Sequence, residues 1–493
     1  MYTRLALASV LLALTCLKGT AQNPESAITG IHQEQSEYYS AVYGTSIPAG
    51  MASPEMPVAL KSRKTIEPAF MVYGWHPYWA GTNAYLSYDY DVLTHIAYFS
   101  YEVDTASGSY TTLRGWDVTP VISYAHQRGV KVMLTVTNFG SERNTKILTD
   151  TVKQWTLINT LITQLQSRNG DGVNFDFESV PSSMKANMVS FCKRAVRGIK
   201  AALPQAEISF ATPPVNWSDG WDLAGLAANC DYLIMMGYNY YYGGSATAGP
   251  VAPLKGENYN VTKSIEEEYV ADGVPRSKLL MGMPWYGYDW PVVSDVRKAA
   301  TTGAGTSRIY SASIPMVTSY GKTFDNTTGV PWMSYQGTTG RRQMWFEDSL
   351  SLLMKSNYAF THDLAGIGIW ALSYEGGRKE IWNGIKAVMA GTVSSDEPPL
   401  YPGSNGNIIT AITPNPALAE AVIHYYISNP GRMTLTIYDS GGRLVALLAE
   451  GQAFPGAWTE TINAGVLPPG LYFCVLTTPG GRHSVKFAVA GKY

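Results

Sequence analysis

Eight short apolar segments alternate with amphipathic stretches between residues 71 and 389, and this alternation constrains the fold more than any other feature. The amphipathic stretch around residues 155–165 carries its apolar side chains on one helical face. Eight strands that alternate with helices predict a TIM barrel, with a doubly wound open sheet as the alternative. The predicted strands are residues 71–75, 94–100, 131–137, 172–178, 207–212, 232–238, 279–286 and 366–372.

Two regions lie outside this pattern. The stretch from Asp289 to Gln343 is too long for a single loop between a strand and a helix, so we predict a small insertion after the seventh strand. A linker rich in Pro, Gly and Ser follows at residues 393–407, after a barrel domain at 69–392. Beyond it only strand patterns occur, which predicts a β-sandwich over residues 408–493. These predicted strands are 421–428, 433–438, 458–462, 471–476 and 483–489.

The N-terminus reads as a targeting segment. Residues 1–21 contain Arg4, an apolar run and small residues before position 22, which predicts a secretory signal peptide. Residues 22–68 are polar with weak periodicity and are predicted to be a leader or a short helix. No later segment reaches about 18 consecutive apolar residues, so we expect no membrane span.

The composition limits the classes of partner. Lys and Arg total 36 against 38 Asp and Glu, a net charge of −2, so the chain has no basic excess for nucleic acid. Charged residues make up only 15% and Tyr occurs 33 times, which suits a protein that handles neutral polymers such as sugars. The chain has no CxxC pair and no metal-binding His spacing, so we expect a monomer without disulfide framework, metal or cofactor.

The segment DGVNFDFE at residues 171–178 carries the chemistry. Side chains of a strand alternate between its two faces, so Asn174, Asp176 and Glu178 share one face. In a barrel that polar face points into the lumen, where two carboxylates are costly unless they are paired or hydrogen-bonded. They also lie at the carboxyl end of a strand, where the active sites of barrel enzymes form. We therefore interpret them as catalytic rather than structural.

This segment resembles the DGxDxDxE motif of glycoside hydrolase family 18, with Asn174 in place of the middle Asp. Three further segments resemble family motifs in the expected order, which makes the resemblance specific. They are Met236-Gly237-Tyr238-Asn239, with Asn239 for the usual Asp, Gly282-Met283-Pro284-Trp285-Tyr286-Gly287, and Gly368-Ile369-Trp370. Asn174 and the run Met344-Trp345-Phe346-Glu347-Asp348 also resemble the spore-cortex-lytic branch of the family.

The resemblance implies a role for each matched residue. Glu178 would be the general acid and then the base, Asp176 would orient the N-acetyl group, and Tyr238 would bind its carbonyl. The resemblance implies that Trp370 forms the floor of the sugar site, with Gly368 making room. Further candidates for substrate binding are Asn174, Met236, Asn239, Trp285, Tyr286 and Trp75. We also expect the amide of Asn174 to donate to Asp176 and so favour its charged form.

The C-terminal region resembles a type IX secretion sorting domain of Bacteroidetes. The segments that carry the resemblance are Thr413-Pro414-Asn415-Pro416, Gly470-Leu471-Tyr472 and Val485-Lys486-Phe487. Such a domain implies passage through the periplasm of a Gram-negative bacterium to the cell surface or the medium, with the type IX machinery as a partner. A carbohydrate-binding sandwich is the alternative, although Trp458 is the only Trp available there for stacking.

Together, these resemblances imply a secreted retaining glycosidase acting on polymers of β-1,4-linked N-acetylglucosamine, with chitin as the expected substrate. Peptidoglycan and the chitobiose core of N-glycans are alternative substrates for the same chemistry. An inactive, lectin-like barrel is the alternative of a different class; relatives of that kind typically lack the acid, which is present here as Glu178.

Overall fold

The computed structural model describes residues 30–44, 70–81, 83–391, 408–427, 431–453 and 456–490. The predicted signal peptide and linker, and most of the predicted leader, lie outside these residues. The strands up to residue 370 are β1 (Met71–Pro77), β2 (His95–Val103), β3 (Tyr110–Thr112), β4 (Lys131–Phe139), β5 (Gly172–Glu178), β6 (Glu207–Thr212), β7 (Tyr232–Met235), β8 (Leu279–Pro284), β9 (Tyr286–Pro291), β10 (Thr306–Ile309), β11 (Thr323–Asp325), β12 (Val330–Gly337), β13 (Gly340–Trp345) and β14 (Gly366–Trp370).

Helices occupy the connections between these strands, and one helix precedes β1. The α-helices are α1 (Ile31–Tyr43), α2 (Val121–His126), α3 (Ser141–Leu148), α4 (Thr151–Arg168), α5 (Lys185–Ala202), α6 (Leu223–Ala227), α7 (Val261–Lys263), α8 (Tyr310–Tyr320), α9 (Ser349–Thr361) and α10 (Glu380–Met389). A π-helical segment at Ser264–Val270 continues α7.

Eight parallel strands close into a barrel in the order β1-β14-β8-β7-β6-β5-β4-β2, and the pairing of β1 with β2 completes the ring. This confirms the predicted TIM barrel and excludes the open sheet. All eight predicted strands are present, two of them with the predicted bounds, β5 and β6. The insertion between β8 and β14 is an antiparallel sheet in the order β10-β9-β13-β12-β11, together with α8.

The alternation of side chains along β5 is as predicted, and packing of its outward face fixes the orientation of the strand. Phe175 and Phe177 point outward and pack against Phe191 of α5, with ring centroids 5.1 and 5.6 Å apart. Each fully buried aromatic of this kind contributes about 1.5–3 kcal/mol. The opposite face therefore turns Asn174, Asp176 and Glu178 into the barrel, with exposures of 0%, 0% and 7%.

The C-terminal region forms two packed antiparallel sheets, as predicted. Its strands are β15 (Ile408–Thr413), β16 (Glu420–Ile427), β17 (Gly431–Asp439), β18 (Leu444–Ala453), β19 (Gly456–Asn463), β20 (Gly470–Thr478) and β21 (Gly481–Val489), arranged as β15-β16-β19 and β18-β17-β20-β21. This sandwich contacts the barrel, because Tyr426 packs on Leu350 of α9 and its hydroxyl accepts a 2.8 Å hydrogen bond from Lys322.

The run at residues 344–348 serves the fold. Glu347 forms a 2.8 Å ion pair with Lys355 of α9, and both side chains are about 1% exposed. Burial raises the pKa of Glu347 to about 7, although Lys355 opposes that shift. Asp348 caps the N-terminus of α9 through the backbone N–H of Ser351. The resemblance of this run to the spore-cortex-lytic branch therefore lies in residues that support the barrel.

We expect Lys355→Met to lower stability by about 3–5 kcal/mol at pH 8, because it leaves a buried carboxylate unpaired. The folded pKa of Glu347 lies above its unfolded value near 4.5, so stability is retained at low pH and lost as pH rises through the folded pKa. The melting temperature of the variant should therefore fall less at pH 5 than at pH 8. The control is Lys146→Met, which breaks the exposed ion pair with Glu142. This variant should change the melting temperature little at either pH. Equal losses at both pH values would contradict this reasoning.

Candidate active site

The carboxyl ends of the barrel strands bring the predicted site residues together. Asp176 and Glu178 lie on β5, and Tyr238 follows β7. Trp75 lies on β1 and Trp370 ends β14, with ring centroids 6.0 Å apart. All five side chains are buried.

The two carboxylates differ in their surroundings. Burial, followed by the charge of Asp176, raises the pKa of the Glu178 carboxyl well above its usual range. One oxygen of each group, Asp176 Oδ1 and Glu178 Oε1, has no hydrogen-bond partner among the described residues. The site therefore combines a group that holds a proton with buried acceptor oxygens that can bind a ligand donor.

An open cleft lies beside Glu178. Its polar lining includes Glu178, Tyr238 and Asn239, and its apolar lining includes Met236. This places Met236 and Asn239 on the cleft, where the sequence predicted them. Trp217 and Trp221 also line it, and no sequence motif had singled them out.

Asn174 does not make the contact that we expected. Its amide Nδ2 donates to Ser209 Oγ at 3.0 Å, and its Oδ1 accepts from Trp75 Nε1 at 3.0 Å. The expected hydrogen bond to Asp176 is therefore wrong, because Ser209 of the adjacent strand β6 and Trp75 of the more distant strand β1 supply the partners of Asn174. The residue fixes the Trp75 ring at the base of the site instead of tuning Asp176.

Asn239 and Tyr286 form a pair on the rim of the site. Tyr286 Oη donates to Asn239 Oδ1 at 2.5 Å, and the Tyr286 ring lies edge-on to Tyr238 with centroids 6.1 Å apart. The backbone of Asn239 has a φ of 60°, a left-handed conformation that Asn tolerates better than most residues. Its amide Nδ2 is buried without a partner among the described residues, so it is free to donate to a ligand.

The prediction that Trp285 binds substrate is wrong. Strand β8 ends at Pro284, and the Trp285 backbone N–H donates to the carbonyl of Trp370. This turns the indole away from the lumen and edge-on to Trp382 of α10, with centroids 5.0 Å apart. Trp285 therefore supports the barrel wall. Gly368 lacks a Cβ that would crowd Ile234 and Trp75, so it makes room inside the barrel as expected.

Helix α1 lies in the site, which the sequence analysis did not anticipate. The His32 ring stacks on Trp370 with centroids 3.6 Å apart. Its Nδ1 lies 2.7 Å from Asp176 Oδ2, and its Nε2 lies 2.8 Å from Tyr238 Oη. The only available signal was the spacing of His32, Gln35 and Tyr39, which places them on one helical face of a polar segment.

The site also contains a group that could bind a metal ion. Ligand atoms of His32, Asp176 and Glu178 lie within 4.8 Å of one another. Both ring nitrogens of His32 are already engaged in short hydrogen bonds. Hydrogen bonding therefore accounts for this geometry without an ion.

Comparisons with known proteins agree with this site. The family described as glycosyl hydrolases family 18 matches residues 70–375, well over half of the chain. The chain belongs to this family of glycosyl hydrolases.

Individual relatives are distant. Di-N-acetylchitobiase of Homo sapiens is 23% identical over 342 residues, covering 62% of this chain and 82% of that enzyme. The cortical fragment-lytic enzyme of Bacillus subtilis is 24% identical over 297 residues, covering 57% and 64%. The chain spans 59% of the length of another curated relative that it matches.

Solved structures of similar fold include members of the same family. The crystal structure of a family 18 chitinase from Cycas revoluta in complex with (GlcNAc)3 superposes with a TM-score of 0.58 at 18% identity. The superposition covers 66% of this chain and all of that one. This likeness supports the barrel fold.

We expect Trp75→Phe to destabilise the protein more than Trp285→Phe does. Both indoles are fully buried, but only Trp75 Nε1 donates a hydrogen bond within the described residues. Its loss leaves Asn174 Oδ1 unpaired at a cost of about 1–3 kcal/mol beyond the change in volume. Melting temperatures of the two matched variants measure this difference. An equal loss would show that the bond to Asn174 contributes nothing.

Proposed function

We propose that this protein is a retaining glycosidase that hydrolyses polymers of β-1,4-linked N-acetylglucosamine with the help of the substrate's own N-acetyl group. The observation that carries the proposal is the convergence of Asp176, Glu178, Tyr238 and Trp370 in one buried site. Each of these residue types can bind one group of an N-acetylated sugar next to the glycosidic bond that is cleaved.

The first step uses the raised pKa of Glu178. Its carboxylic acid gives a proton to the glycosidic oxygen while the bond to the anomeric carbon breaks. The N-acetyl oxygen attacks that carbon and forms a cyclic oxazolinium ion. Asp176 accepts the N–H of the group and stabilises the positive charge, and Tyr238 donates to the acetyl oxygen.

The second step reverses these roles. The Glu178 carboxylate takes a proton from water. The water oxygen adds to the anomeric carbon and opens the oxazolinium ring, while the sugar ring stays closed. Two attacks on opposite faces retain the configuration. The apolar face of the distorted sugar lies on the Trp370 ring.

Chitin is the proposed substrate, and two relatives define the alternatives. The similarity to di-N-acetylchitobiase favours a chitobiose unit, and the similarity to the cortical fragment-lytic enzyme favours peptidoglycan. The intact and buried acid Glu178 argues against a lectin-like barrel that only binds sugar. A product profile on chitin, peptidoglycan and a high-mannose glycoprotein distinguishes the three substrates. If none of the three is hydrolysed, the proposal is contradicted.

The cellular route is part of the same proposal. We infer a secreted monomer, exported through the periplasm by an N-terminal signal peptide and by type IX sorting of the C-terminal sandwich. Among the described residues no helix is long and apolar enough to cross a bilayer. Trp458 is half-buried against the sandwich core, which leaves little of its face for sugar stacking and disfavours a carbohydrate-binding module. The test expresses the full chain and a chain ending at Gly391 in a host with the type IX machinery. The full chain should reach the cell surface, and the shortened chain should not.

Glu178→Gln should lower the turnover of an unactivated N-acetylglucosamine oligomer by about 10²–10⁴-fold or more, because Gln is nearly isosteric but has no proton to give. Binding of the oligomer should persist. The control is Glu142→Gln, which neutralises an exposed carboxylate on α3 and should leave turnover unchanged. Turnover at the wild-type rate in Glu178→Gln would contradict the assignment of the acid.

Asn239→Asp should move the basic limb of the pH–rate profile to higher pH. Asn239 and Glu178 line the same cleft, so a new negative charge there further disfavours ionisation of Glu178 and keeps the acid protonated. Tyr286 can still donate to the new carboxylate. Asn159→Asp, which adds the same charge on the exposed face of α4, is the control. Unchanged basic limbs in both variants would show that position 239 does not couple to the acid.

A further inference from the structure

Helix α1 fills the position that the proposed function assigns to the N-acetylated sugar. His32 is fully buried, and its ring lies on the face of Trp370. The next turn of the helix continues the contact, since Gln35 Oε1 accepts from Trp370 Nε1 at 3.1 Å and from Tyr374 Oη at 2.6 Å. A sugar on the Trp370 floor and α1 in this position exclude each other.

The imidazole of His32 presents the same hydrogen-bonding pattern as an acetamido group. Asp176 in its charged form can only accept, so Nδ1 carries the proton and donates to it. In the neutral ring Nε2 then accepts from the Tyr238 hydroxyl. An N-acetyl group offers the same pair, an N–H for Asp176 and a carbonyl oxygen for Tyr238.

The start of the helix also covers the acid. Gly30, which precedes α1, approaches Glu178 so closely that any Cβ at this position would overlap the carboxylate. His32 Nδ1 lies 3.7 Å from Glu178 Oε1. Helix α1 therefore contacts both proposed catalytic carboxylates while the floor of the sugar site is also occupied.

Contacts outside the sugar site hold the remainder of the helix. Tyr39 stacks on Trp79 with centroids 4.6 Å apart. Glu34 Oε2 accepts from Tyr288 Oη at 2.7 Å. Near the C-terminus of α1, the buried Arg114 donates to Ser40 Oγ and to the carbonyl of Gly44.

These contacts are intramolecular, because the chain between Gly44 and Phe70 joins α1 to β1. Because α1 is covalently joined to the barrel, its binding is an intramolecular event, so modest contacts suffice to keep it bound. Any substrate must then compete with α1, and its apparent affinity equals the intrinsic affinity multiplied by the fraction of molecules in which the cleft is open.

We propose that α1 is an intramolecular inhibitor that occupies the N-acetyl sugar site of its own barrel and must leave before substrate binds. The inference rests on the proposed function for the identity of the sugar. The helix acts as a substrate mimic through His32, with Tyr39 as a separate anchor on the rim. Activity of the full chain is therefore set by release of α1.

The test compares binding of tri-N-acetylchitotriose to full-length variants in the Glu178→Gln background, where turnover does not interfere. Isothermal titration calorimetry should show affinity about tenfold to a hundredfold higher for His32→Ala, which removes a hydrogen bond to a charged carboxylate. Tyr39→Ala should give a smaller gain, because it weakens the helix without touching the sugar site. The control is Val42→Ala, on the exposed side of α1, which should leave affinity unchanged.

Hydrolysis by the same variants with Glu178 intact separates this inference from the proposed function. Tighter binding without hydrolysis supports the inhibitory helix and contradicts the proposed reaction. Hydrolysis with equal affinities in wild type, His32→Ala and Tyr39→Ala supports the reaction and overturns the inference. Loss of both binding and activity in His32→Ala also overturns it, since His32 would then be part of the working site. Absence of binding in every variant overturns both.

Discussion

The arrangement of the site depends on two carboxylates held inside the barrel at the end of one strand. Asp176 and Glu178 are carried there because the outward face of β5 packs against α5, and side chains alternate along a strand. Burial of charge is costly unless partners are supplied. Even with α1 in place, Asp176 Oδ1 and Glu178 Oε1 are buried without a hydrogen-bond partner among the described residues, so the site has acceptors left for a ligand.

The same requirement links the sugar and the helix. Whatever enters must give Asp176 a donor, give Tyr238 an acceptor and lay an extended face on Trp370. His32 meets all three conditions with a single ring. The burial that α1 adds also disfavours ionisation of Glu178, so the closed site keeps its acid protonated. The proposed inhibition and the proposed catalysis thus use one set of contacts.

The local sequence pattern predicted most of the barrel and much of the site. The spacing of apolar residues and the length of the apolar segments located the eight strands, and the alternation of side chains along β5 placed both carboxylates in the lumen. Trp285 was misplaced because the chain leaves β8 at Pro284, after which strand alternation no longer says where a side chain points. Asn174 was assigned the wrong partner because its actual partners, Ser209 on the adjacent strand β6 and Trp75 on the non-adjacent strand β1, are distant in sequence.

The sequence by itself therefore determined the barrel and the strand that carries two carboxylates into its lumen, because these follow from periodicity and from residues close together in the chain. Only the tertiary structure decided what the site contains. His32 meets Asp176 across 144 positions and Gln35 meets Trp370 across 335. The helix is short and polar, and its own pattern shows only that one face is to be covered. Which surface covers it depends on the shape and charge of a cleft that exists only once the barrel has closed.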